Sequence, residues 1–443
     1  MTQRIAHVYL NRRMAALLGL GFASGLPYVL VTDVLQAWAK DAGVDVGAAG
    51  LFGLLLLPYT LKFLWAPLMD RFAPPMGLGR RRGWLAVTQV LLAVALLCVA
   101  IAASPSTPLK VFAIGCLIVT VLSASQDVVG DAYRTDVLPP DERAAGAAVW
   151  TTAYRVAMLA AGGGALLAVD RGWLTWPGAF AVAAGLMGVS LVVTLLAPEP
   201  AVAVAPPRTL GDAAVLPVRQ LLTRRSGLVV IAFVVLFTLP EVLAKNMTLR
   251  FLLDLGVSKT EVAATRQVVG MAATIGGGLV GGLVAARVGM RTALLVFGIL
   301  GAVSNLGFWV LAELGPGTTA VATVVGVDSF CGGLVSAGFV AFLMGQCDPR
   351  YSATQFALLS ALMRVTTAIG SAPAGYVVQA VGWGTFFGLS ALAAVPSLAL
   401  LPWLKESPPA EDEPRGFEVL PARPSVDRPA GVTCAGDGDV PHR

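Results

Sequence analysis

Ser123-Ala124-Ser125-Gln126-Asp127-Val128-Val129-Gly130-Asp131-Ala132-Tyr133-Arg134-Thr135-Asp136 ends an almost uninterrupted apolar run that extends from Val111 to Leu122. Such a run reads as a membrane-crossing helix, because about 20 apolar residues rising 1.5 Å each cover the hydrocarbon layer. This one carries two acids four residues apart, Asp127 and Asp131. A carboxylate in or beside hydrocarbon is costly and seldom present without a task. Counted from Leu109, Asp127 falls about 27 Å along the helix, near its inner end. Asp131, Arg134 and Asp136 then lie at or outside the membrane face, close to Asp70 and Arg71. The motif therefore reads as part of an inner gate. Asp127 keeps a second candidate role, accepting a proton or touching a substrate that leaves the cavity.

The rest of the chain has the same character. Of its 443 residues 56% are hydrophobic and 13% charged, with a mean hydropathy of +0.77. A soluble domain carries about a quarter charged residues, so composition alone makes this a membrane protein. Apolar windows predict about twelve helices, at 14–37, 47–69, 84–103, 109–131, 145–168, 175–197, 228–252, 262–285, 292–312, 318–345, 353–379 and 382–403. An even number puts both termini on one side. One set of loops holds Arg4, Arg12, Arg13, Arg71, Arg80, Arg81, Arg82, Arg134, Arg143, Arg208, Arg219, Arg224, Arg225, Arg287, Arg291 and Arg350. The opposite loops hold Lys40, Lys110, Arg171 and Lys259, with Arg250 and Arg266 near span ends. The excess of cations on the first set places both termini in the cytoplasm.

Other classes are excluded by what the residues lack. The net charge of +5 resides in short loops, which speaks for topology and anionic headgroups and against nucleic acid. The five cysteines have neither paired nor metal-ligand spacing. His7 and His442 are the only histidines and sit near the ends, so histidine-dependent catalysis is excluded. No Walker loop or dinucleotide fingerprint occurs in a strand–helix setting. The first apolar stretch, Met14 to Trp38, follows basic residues as a signal peptide does, but is too long for one and reads as an uncleaved span.

The spans divide into two halves. Residues 1–197 form an N-terminal six-helix bundle and 227–404 a C-terminal one. Between them, 198–226 is a proline-rich cytoplasmic linker whose second half, Leu210 to Arg225, can form an interfacial helix. Residues 405–443 are rich in Pro, Gly and acids and read as a disordered cytoplasmic tail. Short matches relate the halves. Asp141-Glu142-Arg143 precedes helix five as Asp348-Pro349-Arg350 precedes helix eleven, and Tyr154-Arg155-Val156 parallels Met363-Arg364-Val365. A duplicated unit of this kind is typical of transporters.

Depth selects the functional candidates. Arg155 sits about 15 Å into helix five, near the midplane, and Arg364 is similarly deep in helix eleven. Their guanidinium forks suit a carboxylate or phosphate, and the competing reading is a structural ion pair with an acid at equal depth. Glu241 lies about 21 Å from the inner end of helix seven, just beyond Pro240. Burial penalises its charged form, which makes it the leading proton site, while Lys245 one turn on offers a Glu241–Lys245 lock at an outer gate instead. Asp328 and Asp33 read as acids nearer the outer face, exposed to vestibule water. Gly277/Gly281 and Gly278/Gly282 match small-xxx-small helix packing.

The loops after helices two and eight resemble the signature of the major facilitator superfamily. Several blocks are similar to the AmpG muropeptide permeases within it: Gly21-Phe22-Ala23-Ser24-Gly25-Leu26-Pro27, Leu35-Gln36-Ala37-Trp38, Lys62-Phe63-Leu64-Trp65-Ala66-Pro67-Leu68-Met69-Asp70-Arg71, Gly79-Arg80-Arg81-Arg82-Gly83-Trp84, Ser123-Ala124-Ser125-Gln126-Asp127, Thr135-Asp136-Val137-Leu138-Pro139 and Tyr351-Ser352-Ala353-Thr354-Gln355-Phe356-Ala357-Leu358-Leu359-Ser360. The resemblance implies an all-α major facilitator fold of two pseudosymmetric six-helix bundles. It implies proton-driven uptake of anhydro-muropeptides across the bacterial inner membrane. The chain departs from the family at helix seven, which reads Thr238-Leu239-Pro240-Glu241 with Lys245, and at Asp33. A siderophore permease of the same superfamily, importing or exporting, is the alternative within transport. A sensor or scaffold that no longer transports is the alternative outside it.

The expected site follows from both readings. Arg155, Arg364, Tyr154 and Gln126 bind an anionic glycopeptide or siderophore, and Glu241 and Asp127 exchange protons. Asp70, Arg71, Asp131 and Arg134 form the gate, the resemblance implying that Asp70 and the following arginines latch the halves together. The expected partners are substrate, protons and the lipid bilayer, with no nucleic acid, metal or cofactor, and the chain is expected to be a monomer.

Overall fold

The computed structural model describes residues 8–45, 51–103, 107–200, 205–224, 226–315 and 317–404. The tail predicted over 405–443 lies outside them. Among the described residues every regular element is a helix, and ten helices are long and apolar enough to cross a membrane. We label the helical segments, which include the ten and two more, α1 (Arg12–Asp41), α2 (Phe52–Leu64 and Ala66–Arg71), α3 (Arg80–Ala102), α4 (Leu109–Val137), α5 (Arg143–Asp170) and α6 (Trp176–Leu196) in the first half. The second half has α7 (Gly227–Asp254), α8 (Glu261–Val288), α9 (Met290–Leu314), α10 (Thr318–Gln346), α11 (352–381) and α12 (383–403).

Two spans differ from a simple hydropathy reading. The predicted second helix is not one α-helix. Phe52–Leu56 and Lys62–Leu64 are 3-10 turns, separated by the short helix Leu57–Leu61. Pro58 and Pro67 each remove a backbone donor and forbid an unbroken α-ladder, so an apolar stretch of adequate length folds in short pieces. At the other end, Ser352–Leu392 is continuous except at Gly382, whose φ of +79° lies in the left-handed region open to glycine. That one residue separates α11 from α12.

The segment between the halves contains a helix at Leu210–Thr223, opened by a capping box in which Thr209 and Asp212 satisfy each other's backbone donors. Its buried face, Ala213, Pro217 and Leu221, packs on the protein, and Gln355 of α11 donates to Gln220 at 3.2 Å.

The apolar core shows how the halves meet. One continuous cluster contains residues of both: Met14, Met69, Val137 and Trp150 from the first, Phe233, Phe297, Phe339 and Phe356 from the second. It lies at the end of the bundle that carries the arginine-rich loops, here called the basic end. Toward the opposite end the cores separate, one built around Leu30, Trp38, Phe112 and Phe180, the other around Phe251, Phe308, Phe386 and Phe387. The halves are thus sealed at the basic end and have independent cores at the other.

Small residues permit the seal. A Cβ on Gly282 of α8 would lie 2.7 Å from the Cα of Ala145 in α5, so the two backbones touch across the halves. Gly277, on the other stripe of α8, meets the carbonyl of Phe330 in α10 within the same half. The two small-residue stripes therefore serve different partners, one across the halves and one inside a half.

Candidate functional site

The basic end is closed by a polar latch. Asp70, fully buried, ends α2 and points at the start of α11. Its carboxylate accepts from the backbone N–H of Ala353 at 3.3 Å, from the N–H of Thr354 at 2.8 Å and from the Thr354 hydroxyl at 2.7 Å. The first N–H groups of a helix have no partner of their own and carry partial positive charge, so a carboxylate there is favoured. Arg81 of α3 completes the site. One of its nitrogens donates to Asp70 Oδ1 at 2.8 Å and to Ser352 Oγ at 2.7 Å, while Nε donates to Asp136 at 2.8 Å. Arg80 adds a bond to the carbonyl of Pro349 at 3.2 Å.

A second layer lies deeper. Asp131 of α4 accepts from Lys62 of α2 at 3.1 Å and pairs with Arg134 at 2.7 Å. The Arg134 guanidinium is 5.3 Å from the Trp150 ring of α5 and 5.0 Å from the Phe356 ring of α11, a cation held between aromatic faces of the two halves. Tyr9 adds a bond across the halves, donating to the carbonyl of Leu279 in α8 at 2.6 Å. Burial pushes this phenol above its ordinary value, so it stays a donor at neutral pH.

One sequence expectation needs correction here. Arg71 is not in the latch; it stacks on its neighbour Phe72, and Arg80 and Arg81 take the role. Asp131 and Arg134 are buried within the protein. Counting rise along a helix does not give the neighbours that cover it, and here α2, α5 and α11 supply Lys62, Trp150 and Phe356 around the last turns of α4.

Nearer the midplane the first half presents a tyrosine cluster. The rings of Tyr28 and Tyr59 are 5.2 Å apart edge to face, and Tyr28 lies 6.2 Å from Tyr154. Tyr59 donates to Ser123 at 2.8 Å. Asp127 is half-buried beside them and has no hydrogen bond or ion pair among the described residues. It faces the charges of Lys62 and Arg134 in its own half and of Arg364 from α11. Gln126, by contrast, is 0% exposed, and neither amide atom has a partner among the described residues. Of the expected substrate contacts it is the one that is fully buried.

Arg155 looks the other way. It lines a small cavity with Thr151 and Thr152 of α5, Thr274 of α8 and Ser336 of α10, and it faces the charge of Glu241. Each of these arginines is thus within electrostatic reach of an acid of the opposite half, Arg364 of Asp127, which also faces Lys62 of its own half, and Arg155 of Glu241. Glu241 is ion-paired with Lys245 one turn on, so the pair weighed in the sequence forms. Asp328 is half-buried in a cavity with this pair, Ser304 and Asn305, instead of in an open vestibule. Asp33 is exposed, on a single π-turn at Leu30–Val34.

Sequence reasoning missed Tyr28, Tyr59, Ser304 and Asn305. A tyrosine or asparagine inside an apolar run carries no periodic signal of its own. The block containing Thr354 was quoted above, but nothing local marks its hydroxyl as a ligand of Asp70.

Comparison with known proteins agrees with this architecture. The model of the Major Facilitator Superfamily matches residues 14–354 and 246–431. The anhydromuropeptide permease of Escherichia coli strain K12 is 42% identical over 402 residues, covering 90% of this chain and 81% of that protein. The putative transporter AmpG 4 of Rickettsia conorii is 27% identical over 408 residues, covering 90% of this chain and 98% of that protein. Among solved structures, the major facilitator transporter FucP in the outward conformation superposes with a TM-score of 0.63 at 14% identity, covering 88% of this chain and 98% of that one. At that identity the likeness concerns the fold.

Proposed function

The chain belongs to the major facilitator superfamily, within it to the family of the anhydromuropeptide permease, and we propose on that premise that it imports anhydro-muropeptides with protons across the bacterial inner membrane. The substrate assignment is supported by the 42% identity to a permease of that name over 90% of the chain. Nothing in the relatives described favours a siderophore.

What supports the mechanism is that acids and arginines of opposite halves lie within electrostatic reach of each other, Asp127 of Arg364 and Glu241 of Arg155. An arginine in the membrane stays charged and binds carboxylates through two parallel donors. A substrate carboxylate entering between the halves competes with Asp127 or Glu241 for an arginine. The displaced acid then loses part of its compensating charge, and the carboxylates around it are favoured to share an added proton. Binding of an anion and uptake of a proton are coupled by that competition. Tyr28 and Tyr154 supply aromatic faces beside the same site for the apolar faces of a sugar. Gln126 becomes a ligand only in a state that uncovers it.

The positive-inside rule puts the basic end, and both termini, in the cytoplasm. The halves then close inward and separate outward, the arrangement that receives a substrate from outside. Release requires the Asp70–Thr354 and Arg81–Ser352 bonds to break as the halves rock.

Uptake of labelled anhydro-muropeptide into vesicles containing the protein, with and without an inward proton gradient, tests the reading. Gradient-dependent accumulation is expected. Accumulation indifferent to the gradient overturns proton coupling, and its absence under both conditions overturns the substrate.

A further inference from the structure

In the second half, three charged side chains from two helices converge on a cavity separate from the gate and from the tyrosine cluster. Glu241 and Lys245 are one turn apart on α7 and ion-paired. The pair is seated over Gly332 of α10, where a Cβ would lie 3.5 Å from both Glu241 Oε1 and Lys245 Nζ. Asp328 precedes Gly332 by one turn on α10, which puts both on one face of that helix. The Lys245 ammonium is accordingly within its electrostatic reach, as is Glu241.

Other helices complete the surroundings. From α9, the Ser304 hydroxyl is shared between the carbonyl of Gly301 at 2.9 Å and Asp328 Oδ1 at 3.1 Å. Asn305, next to it, lines the same cavity at 2% exposure, and its Nδ2 has no partner among the described residues. From α12, Ser397 reaches the cavity wall but spends its hydroxyl on the carbonyl of Ala394 at 2.8 Å. From α5 in the other half, Arg155 faces Glu241. The cavity is thus lined by two carboxylates and one ammonium, with the Arg155 guanidinium of the other half within electrostatic reach of Glu241.

Their sum depends on conformation. Glu241, Lys245 and Asp328 travel together, because all belong to the second half. Arg155 belongs to the first half and moves with it. When the halves rock, or when a substrate anion engages Arg155, the trio alone carries one uncompensated negative charge inside the membrane. Such a charge is expensive, and a carboxyl that can protonate does so.

We propose that Glu241, Lys245 and Asp328 form a proton-exchange site in which one ammonium serves two carboxylates in turn, and the carboxylate it leaves takes up a proton. In the arrangement described, Lys245 holds Glu241, so Asp328 is the acid that receives it. The step converts a carboxylate and a hydronium ion into a carboxylic acid and water, and reverses when Lys245 swings to Asp328. The orphan Asn305 amide is the donor placed to hold a carbonyl oxygen or a water in the cavity during that exchange. The role of the site in transport rests on the proton-coupled reading above, which it deepens by naming Asp328 as the partner of Glu241.

The site is tested without substrate. In pH-titrated infrared difference spectra of the purified full chain in lipid, the carbonyl band of a buried carboxylic acid is expected to vanish as pH rises. Asp328→Asn is expected to abolish the band and Asp328→Glu to restore it at a shifted position. Lys245→Ala is expected to move its midpoint upward by about one pH unit or more, a tenfold change in proton affinity. A band unchanged in Asp328→Asn overturns the proposal, as does one indifferent to Lys245. In vesicles, Asp328→Asn is expected to keep gradient-free exchange of anhydro-muropeptide while losing gradient-driven accumulation. Wild-type protein that exchanges none refutes the substrate reading, and the infrared result still decides the site.

Discussion

The carboxylate of Asp70 accepts the backbone N–H and the hydroxyl of Thr354 at 2.8 and 2.7 Å, so an acid of one half caps a helix of the other, 284 residues away. Capping and gate closure are therefore one event. Opening leaves the first turn of α11 without its acceptor and returns Asp70 to Arg81 alone.

Replacing Asp70 by Asn, or Thr354 by Val, is expected to weaken the closed basic end. Hydrogen bonds to a charged group contribute about 1.5–3 kcal/mol each, and about 1.4 kcal/mol is a tenfold change in population. Spin-label distances between the α2–α3 and α10–α11 loops are expected to shift toward the open form. An unmoved distance distribution would mean that apolar packing alone holds the gate.

Tyr9→Phe removes one hydrogen bond across the halves and leaves the ring in place. A neutral hydrogen bond is worth about 0.5–1.5 kcal/mol net, so the same distances are expected to respond less than with Asp70→Asn. A larger response from Tyr9→Phe would rank the two contacts the other way.

Gly282→Leu inserts a side chain where a single Cβ would already lie 2.7 Å from Ala145. Overpacking costs about 1–3 kcal/mol when the neighbours must move, and here they can separate only by parting α5 from α8. The variant is expected to favour the form open at the basic end and to lose uptake. Gly185→Leu on α6, with no heavy atom within 4 Å of its Cβ position, is the control and is expected to transport normally. Equal uptake by both variants would show that the α5–α8 contact is not part of the cycle.

Arg364→Lys keeps a charge but loses the planar fork, and is expected to bind anhydro-muropeptide at least about tenfold more weakly than wild type. Arg155→Lys is expected to behave alike. Unchanged affinity in calorimetric titration, with the protein still folded, would assign these arginines to ion pairs that fasten the halves.

Much of this was legible along the chain. Runs such as Val111–Leu122 predict helices because hydrocarbon forces every backbone group to bond within its own segment. The arginines at 80–82, 134, 143 and 350 mark one end of the bundle. Asp70 stood out as a latch through resemblance, and Arg155 and Arg364 through depth and a repeated local order. Where local rules failed, backbone chemistry was the cause at Pro58 and Pro67, and the partners of Asp131 and Arg134, which come from neighbouring helices, left no local signal.

The sequence by itself determined what each segment does alone: which stretches are apolar enough for a membrane and which end is basic. These follow from hydropathy and helical rise, which act locally. Only the tertiary structure decided which charges meet. That Asp70 caps Thr354, that Lys62 meets Asp131 and that Glu241, Lys245 and Asp328 line one cavity depends on the rotation of each helix about its own axis. That rotation is set by side chains packing from segments as much as 284 residues apart, and no local pattern records it.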